Sequence, residues 1–106
     1  MELRKHRRFE VKCPVSFTRE DGVSAEGTVY NLSTGGCAVE SDTNVPDKTY
    51  VSLRITLSDP ASPMVVELAK VRWSTRREFG AEFLMLQTEK RHLDRFLAKQ
   101  AAAEGG

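Results

Sequence analysis

Apolar and polar residues alternate along most of this chain, and this period of two constrains the fold more than any other feature. The clearest run contains Val51, Leu53, Ile55 and Leu57, which alternate with polar side chains. Alternation of this kind is typical of a strand with one buried face. The period changes only once, near Thr88, where apolar residues take up helical spacing. The chain is therefore predicted to be mainly β, with one helix at its end.

Further strand-like segments are separated by turn signals. Asp21-Gly22 predicts a hairpin turn, and Pro14 predicts that the first strand lies at a sheet edge or contains a bulge. A slip in phase predicts a second bulge near Leu68, which would turn Trp73 and the apolar residues before it toward the core. The predicted strands are 11–17, 23–31, 37–39, 51–57, 64–74 and 79–85.

Six short antiparallel strands of this spacing form either a small barrel or a sandwich. After them, Leu93, Phe96, Leu97 and Ala101 follow the spacing of one helical face, with Thr88 as a candidate N-cap. We expect this helix to cover an open end or a side of the strands.

Composition excludes several classes of protein. The chain has 106 residues, enough for one domain, and 29% charged with 40% hydrophobic residues is neither disordered nor membrane-like. A net charge of +1 argues against binding nucleic acid by charge alone. The N-terminus lacks the apolar stretch of a signal peptide. We therefore expect a soluble, cytoplasmic, single-domain protein without a membrane span.

No set of residues in the sequence has the pattern of a catalytic or metal centre. His6 and His92 lie at opposite ends of the chain, and Cys13 and Cys37 lie between them without ligand spacing. No phosphate-binding glycine loop and no paired acid beside a nucleophile is visible. We expect no enzymatic activity, no metal and no cofactor, and we expect Cys13 to be a core residue.

Two basic clusters stand out. In the arm at residues 3–8, Arg4 and Arg8 are four residues apart, and Arg8 abuts the first strand. An arm of this kind could fold back and present two guanidinium groups, which bind phosphate and stack on purines; the alternative is a solubilising arm. The second cluster surrounds Trp73, which is either a core aromatic at a hairpin tip or a platform for a base. Its basic residues are Lys70, Arg72, Arg76 and Arg77.

The segment 30–36 joins two predicted strands. Asn31 and Ser33 are two residues apart, so in an extended chain their side chains would point the same way. Gly35 and Gly36 permit a sharp turn and close approach of a ligand to the backbone. The alternative is an ordinary turn closed by glycines.

Together these motifs resemble the PilZ domain, whose signatures are RxxxR and [D/N]xSxxG. Arg4 and Arg8 match the first signature, and Asn31, Ser33 and Gly36 match the second. The segments 8–15 and 80–83 also resemble the family's first and penultimate strands, so that the resemblance extends over about residues 4 to 98.

The resemblance implies a bacterial second-messenger receptor for cyclic di-GMP, built as a six-stranded antiparallel β-barrel with a C-terminal helix. The arm would comprise residues 1–9, the barrel 10–86 and the helix 88–103. The two arginines would contact phosphates and guanine, Asn31 and Ser33 would reach guanine edges and phosphate, and Gly36 would be the turn glycine. Additional ligand-binding candidates are Lys5, Arg7, Gly35 and Trp73.

Two residues depart from the family's pattern, and they bear on the affinity for the ligand and on the number of ligands bound per chain. Asn31 stands where many members have Asp, and it lacks the paired acceptors that a carboxylate offers to guanine. Leu3 stands where an arginine favours a stacked pair of ligands, so we expect one ligand per chain.

The competing interpretation is a nucleic-acid-binding barrel that uses the arm and the patch from Lys70 to Arg77. The chain offers mainly Trp73 as an exposed aromatic, which disfavours this interpretation, and we expect nucleic acid not to be a partner.

A protein-interaction scaffold would fit only if a motif were broken. A chain of 106 residues leaves no room for an output domain, so we expect ligand binding to change a surface recognised by an unidentified effector protein.

Overall fold

The computed structural model describes residues 8–57, 63–86 and 97–98, which contain six antiparallel strands closed into a barrel. Neighbouring strands pair in the order β1-β2-β3-β6-β5-β4, and β4 closes onto β1. The structure thus forms a barrel rather than a sandwich. The strands are β1 (Phe9–Arg19), β2 (Ser24–Leu32), β3 (Gly36–Glu40), β4 (Tyr50–Thr56), β5 (Pro63–Ser74) and β6 (Glu78–Leu86).

The turn between β1 and β2 is the predicted hairpin. Gly22 has a φ of 93°, in the left-handed region that favours glycine. The Arg19 N–H donates to the Val23 carbonyl at 2.8 Å, and the Arg19 guanidinium pairs with the Asp21 carboxylate. These contacts confirm the turn signal in the sequence.

Pro14 does not mark a sheet edge. Strand β1 lies between β2 and β4, and both of its sides are paired. The register of β1 with β2 shifts between Glu10 and Cys13, while pairing with β4 begins at Val15, one residue beyond the proline. The edge prediction was wrong because barrel closure supplies a second neighbour, and the alternative, a bulge, is confirmed.

The bulge near Leu68 is also confirmed. The pairing of β5 with β6 shifts on both sides of this residue, and Val66, Ala69 and Val71 are all buried. Leu68 itself is only half-buried. For Trp73 the phase slip predicted an inward position and the basic cluster an exposed platform; it is 37% exposed, because a further irregularity between Val71 and Trp73 turns it to the outer surface.

The inward faces of all six strands meet in one apolar core. Phe17 and Phe79 pack edge to face near its centre, with ring centroids 5.2 Å apart at 75°. Of the predicted helix, only residues 97 and 98 are described; their backbone is helical, and Leu97 is buried against the core. The remainder of that helix, with Thr88, Leu93, Phe96 and Ala101, lies outside the described residues and stays a prediction.

Both cysteines are free and buried in this core, as predicted for Cys13. Burial raises the pKa of the Cys13 thiol and raises the pKa of the Cys37 thiol to about 12. The folded barrel therefore strongly disfavours the Cys37 thiolate.

This burial predicts a loss of stability in alkali. Above the ordinary thiol pKa of 9.0, the unfolded chain ionises Cys37 while the folded chain keeps it protonated up to about 12. The stabilisation is therefore complete below pH 9 and is lost as the pH rises from 9 to 12. Urea unfolding at pH 8, 9 and 10 should give a falling free energy of unfolding, and Cys37→Ala should flatten that fall. An equally steep fall in the variant would contradict the assignment.

Candidate ligand-binding site

The hairpin between β2 and β3 is held together by Ser33. Its hydroxyl accepts the N–H groups of Gly35 and Gly36 at 3.1 and 3.2 Å, and lies 3.3 Å from the Gly36 carbonyl oxygen, to which it can donate. The Ser33 N–H also donates to that carbonyl at 2.9 Å. These contacts use the single donor and both acceptor positions of the hydroxyl. Ser33 is only 5% exposed, so its side chain shapes the turn.

The two glycines bring this hairpin against β6. The Gly35 carbonyl accepts the Phe83 N–H at 2.9 Å. A Cβ on Gly36 would lie well inside 3.0 Å of the Ala81 carbonyl oxygen, so only glycine fits between β3 and β6 at this point. Gly36 is thus required by the approach of a neighbouring strand.

A bulge in β2 turns two adjacent side chains away from the core. Val29 pairs with Val39 and Asn31 with Ala38, so two steps on β2 oppose one step on β3, and Tyr30 is the extra residue. Val29 and Leu32 are buried, whereas Tyr30 and Asn31, between them, are half-buried. Among the described residues, none hydrogen bonds the Asn31 amide.

Asn31 begins a row of residues that crosses four strands on the outer surface. It pairs with Ala38 on β3, Ala38 pairs with Gly80 on β6, and Gly80 pairs with Trp73 on β5. Ala38 is 4% exposed although it lies outside the apolar core cluster. A Cβ on Gly80 would overlap the Trp73 indole, so the indole lies directly over this glycine. We call these four residues the outer row. The small residues Ala38 and Gly80 lie in its middle, and the Trp73 indole and the Asn31 amide lie at its ends.

Tyr30 connects this row to charged residues. Its hydroxyl donates to Glu78 Oε1 at 2.5 Å. Burial raises the pKa of Tyr30 to about 12, helped by the hydrogen bond to Glu78 and by the charges of Glu78 and Glu40; the charge of Arg8 acts in the opposite direction. Arg8 therefore lies close enough for its charge to reach the phenol.

Arg8 stands at the entrance to β1. It precedes Phe9, which pairs with Leu32 at the end of β2, so Arg8 lies at the same end of the barrel as the hairpin 33–36. It is exposed and forms no ion pair within the described part of the chain. Arg4, Lys5 and Arg7 lie outside the described residues.

The second basic cluster does not form one patch. The Lys70 ammonium lies 5.5 Å from the centre of the Tyr50 ring, and Arg72 pairs with Glu82. A third cation, Arg77, lies 4.0 Å from Asp42, and both side chains are well exposed. The structure thus gives three of these four cations, Lys70, Arg72 and Arg77, separate partners.

Sequence reasoning missed four residues of this surface: Tyr30, Ala38, Glu78 and Gly80. A glycine inside a strand is a known signal for close approach by another group, and Gly80 could have been singled out on that ground. The other three became visible only through strand register.

The family model described as PilZ domain matches residues 2–99. The chain belongs to the PilZ domain family. A comparison of this PilZ domain with curated protein sequences gave no match.

Solved structures have the same fold. The Bacillus subtilis inhibitor of motility MotI/DgrA superposes with a TM-score of 0.75 at 19% identity, covering 96% of this PilZ domain and 53% of MotI/DgrA. This PilZ domain thus spans about half the length of that protein. The PilZ domain of YcgR from Escherichia coli, solved with c-di-GMP, gives 0.75 at 14% identity, covering 97% and 95% of the two chains. The PilZ domain of CeSA from a cellulose-synthesizing bacterium gives 0.65 at 18%, covering 92% and 98%.

Two kinds of feature are absent from the described residues. No described helix has the length and hydropathy to cross a bilayer. Likewise, the described ranges hold no group of three or more His, Cys, Asp or Glu side chains arranged for a metal ion.

Proposed function

We propose that this PilZ domain is a receptor for cyclic di-GMP and that it binds the ligand on the outer row. One observation carries the proposal: the Asn31 amide, which no described residue hydrogen bonds, and the Trp73 indole lie at the two ends of the same row, with Ala38 and Gly80 between them. An aromatic ring can stack on a base, and an amide can hydrogen bond the edge of a base. Small residues between two such groups suit a purine nucleotide.

The dimensions of the row fit a ligand of this size. Trp73 and Asn31 are separated by three strand spacings, or about 14 Å. Since the indole covers Gly80, about two strand spacings, or roughly 10 Å, separate the indole from Asn31. We assign the indole to stacking on one guanine and the amide to hydrogen bonds with a guanine edge.

The phosphates call for cations, and Arg8 is the described residue best placed to supply one. Arg8 is exposed, has no ion-pair partner in the part of the chain that the structure describes, and lies beside the hairpin. A planar guanidinium binds phosphate through two hydrogen bonds. We assign Arg4 to the second phosphate or guanine contact, and Lys5 and Arg7 to auxiliary positions, with one ligand per chain.

The NxSxxG segment contributes in two ways under this proposal. Asn31 contacts the ligand, whereas Ser33, Gly35 and Gly36 fix the path of the hairpin that places Asn31 beside Arg8. The Ser33 hydroxyl would act mainly through the turn, because its hydrogen-bonding positions are already used.

The domain would act as a binding module without catalytic activity. Ligand held between the arm and the hairpin would change the surface that this end of the barrel offers to an effector protein. The nucleic-acid alternative loses support because Lys70, Arg72 and Arg77 engage separate partners.

The Trp73 indole provides a direct test, because it is the single tryptophan of the chain. Cyclic di-GMP should change its emission intensity in a saturable way as the guanine stacks on the ring. Gly80→Ala should displace the indole and weaken binding by about 5- to 100-fold, corresponding to the loss of one stacking contact.

The control pair is Trp73→Phe and Trp73→Leu, measured by calorimetry. Phenylalanine keeps an aromatic face and should retain most of the affinity, while leucine should lose it. Unchanged Trp73 emission at saturating cyclic di-GMP would contradict the stacking assignment.

A further inference from the structure

Strand β2 is irregular on both of its sides at Tyr30. In its pairing with β1, the register shifts between Glu10 and Cys13, at the level of Tyr30. In its pairing with β3, the register shifts between Val29 and Asn31, on either side of Tyr30. A residue left out of the ladder locally disrupts the pairing of its strand. Within the described barrel, Tyr30 therefore lacks the cross-strand register that holds the rest of β2.

The direction of the Asn31 side chain depends on this irregularity. Val29 and Leu32 are both buried in the core. Strict alternation from Val29 would turn Asn31 inward and Leu32 outward. The extra residue at Tyr30 reverses the phase, so that Leu32 reaches the core and Asn31 lies outside it. A change in the shape of the bulge would therefore move the amide that we assign to the ligand.

A side-chain hydrogen bond holds Tyr30 in place. Its hydroxyl donates to Glu78 Oε1 at 2.5 Å, and both residues are half-buried. Because β3 lies between β2 and β6, the two residues are about two strand spacings, or roughly 10 Å, apart. The phenol must therefore cross the outer face of β3 to reach the carboxylate. We call this hydrogen bond the Tyr30–Glu78 tether.

The backbone at Glu78 is well fixed. Its carbonyl accepts the Thr75 N–H at 2.8 Å, and the preceding carbonyl, of Arg77, accepts the Ser41 N–H at 2.8 Å. Glu78 pairs with Glu40 in a register that has no shift along β3. A regular part of the barrel thus supplies the acceptor, and the tether connects it to the irregular part of β2.

We propose that Glu78 is a positioning residue of the ligand site, which holds the β2 bulge through Tyr30 and so directs the Asn31 amide toward the ligand. This inference rests on the proposed function. Beyond the bulge, Leu32 is buried and pairs with Phe9 and Cys37, so the barrel keeps its other contacts when the tether is lost. Loss of the tether should let the amide shift, and the affinity should fall while the barrel stays folded.

The test is a calorimetric titration of cyclic di-GMP into wild type and tether variants, with a thermal melt of each protein. Tyr30→Phe keeps the ring but removes the donor, and should bind about threefold to tenfold more weakly than wild type. Tyr50→Phe is the matched control, because it removes a hydroxyl from an exposed tyrosine on β4. It should change the affinity less than about twofold.

Two variants of Glu78 separate the acceptor from the charge. Glu78→Gln and Glu78→Ala remove the same negative charge, but only Glu78→Gln still offers an oxygen to the Tyr30 hydroxyl. Glu78→Ala should therefore bind about threefold to tenfold more weakly than Glu78→Gln. Equal affinities in these two variants would overturn the proposal.

A double-mutant cycle with Asn31→Ala tests whether the tether acts through the amide. The loss caused by Tyr30→Phe should fall below about twofold in the Asn31→Ala background. Equal losses in both backgrounds would assign the tether to general support of the barrel and overturn the proposal, as would full affinity in Tyr30→Phe. A wild type that binds no cyclic di-GMP would instead overturn the proposed function itself, so the two failures are distinguishable.

Discussion

Arg8→Ala should weaken cyclic di-GMP binding by about 5- to 150-fold, the equivalent of about 1–3 kcal/mol for one bidentate arginine contact. The reason is that the guanidinium is exposed and has no ion-pair partner in the described structure, so its hydrogen bonds are available to a ligand. For the same reason its removal should leave the barrel intact. Calorimetry measures the affinity, and a thermal melt checks the fold.

Arg54→Ala is the matched control for that experiment. Arg54 is exposed on β4 and pairs with Ser16, which lies eight residues along β1 from Arg8. Its loss removes the same charge at the far end of the barrel and should change affinity less than about twofold. Arg8→Lys should recover only part of the affinity, because an ammonium lacks the planar fork. Equal losses of affinity in the Arg8 and Arg54 variants would mean that Arg8 contributes only through its net charge.

Gly36→Ala should cost about 3 kcal/mol of folding free energy or more, at the upper end of the range for overpacked positions. The added methyl group would overlap the Ala81 carbonyl oxygen, which belongs to the backbone of β6 and cannot rotate away. Either β3 and β6 must separate or the hairpin must shift. The melting temperature should fall by more than about 10 °C.

Ser16→Thr is the corresponding control, since it adds one methyl group at an exposed position of β1. It should change the melting temperature by less than about 4 °C. A similarly small change in Gly36→Ala would mean that β6 does not approach β3 as closely as the structure indicates.

The strands could be predicted well from the sequence because their information is local. The alternation through Val51, Leu53 and Ile55 and the turn at Asp21-Gly22 depend on neighbouring residues only, and the structure confirms both. The phase slip at Leu68 was also visible, because a bulge must occur where an alternating pattern changes face.

The predictions that failed concern properties that the local pattern of the sequence does not determine. Pro14 suggested an edge or a bulge, and only the bulge is found, because whether a strand has one neighbour or two depends on how the whole sheet closes. The phase slip placed Trp73 inside, but a one-residue irregularity in β5 reverses its direction, and the alternative of an exposed Trp73 is the one observed. The extended-chain argument aligned Asn31 with Ser33, yet β2 ends at Leu32, and the Ser33 hydroxyl turns into the hairpin.

The candidate site was predictable only in part, for the same reason. Asn31, Arg8 and Trp73 were selected by residue type, but the outer row depends on register between strands that are distant in the sequence.

The most direct test of the account is a calorimetric titration of the wild-type protein with cyclic di-GMP, with GMP and ATP as comparison ligands. The account predicts saturable heat with cyclic di-GMP at a ratio near one ligand per chain, and much weaker binding of the two linear nucleotides. Folded protein that gives no heat with cyclic di-GMP at concentrations up to about 1 mM, or that binds all three ligands equally, would contradict it.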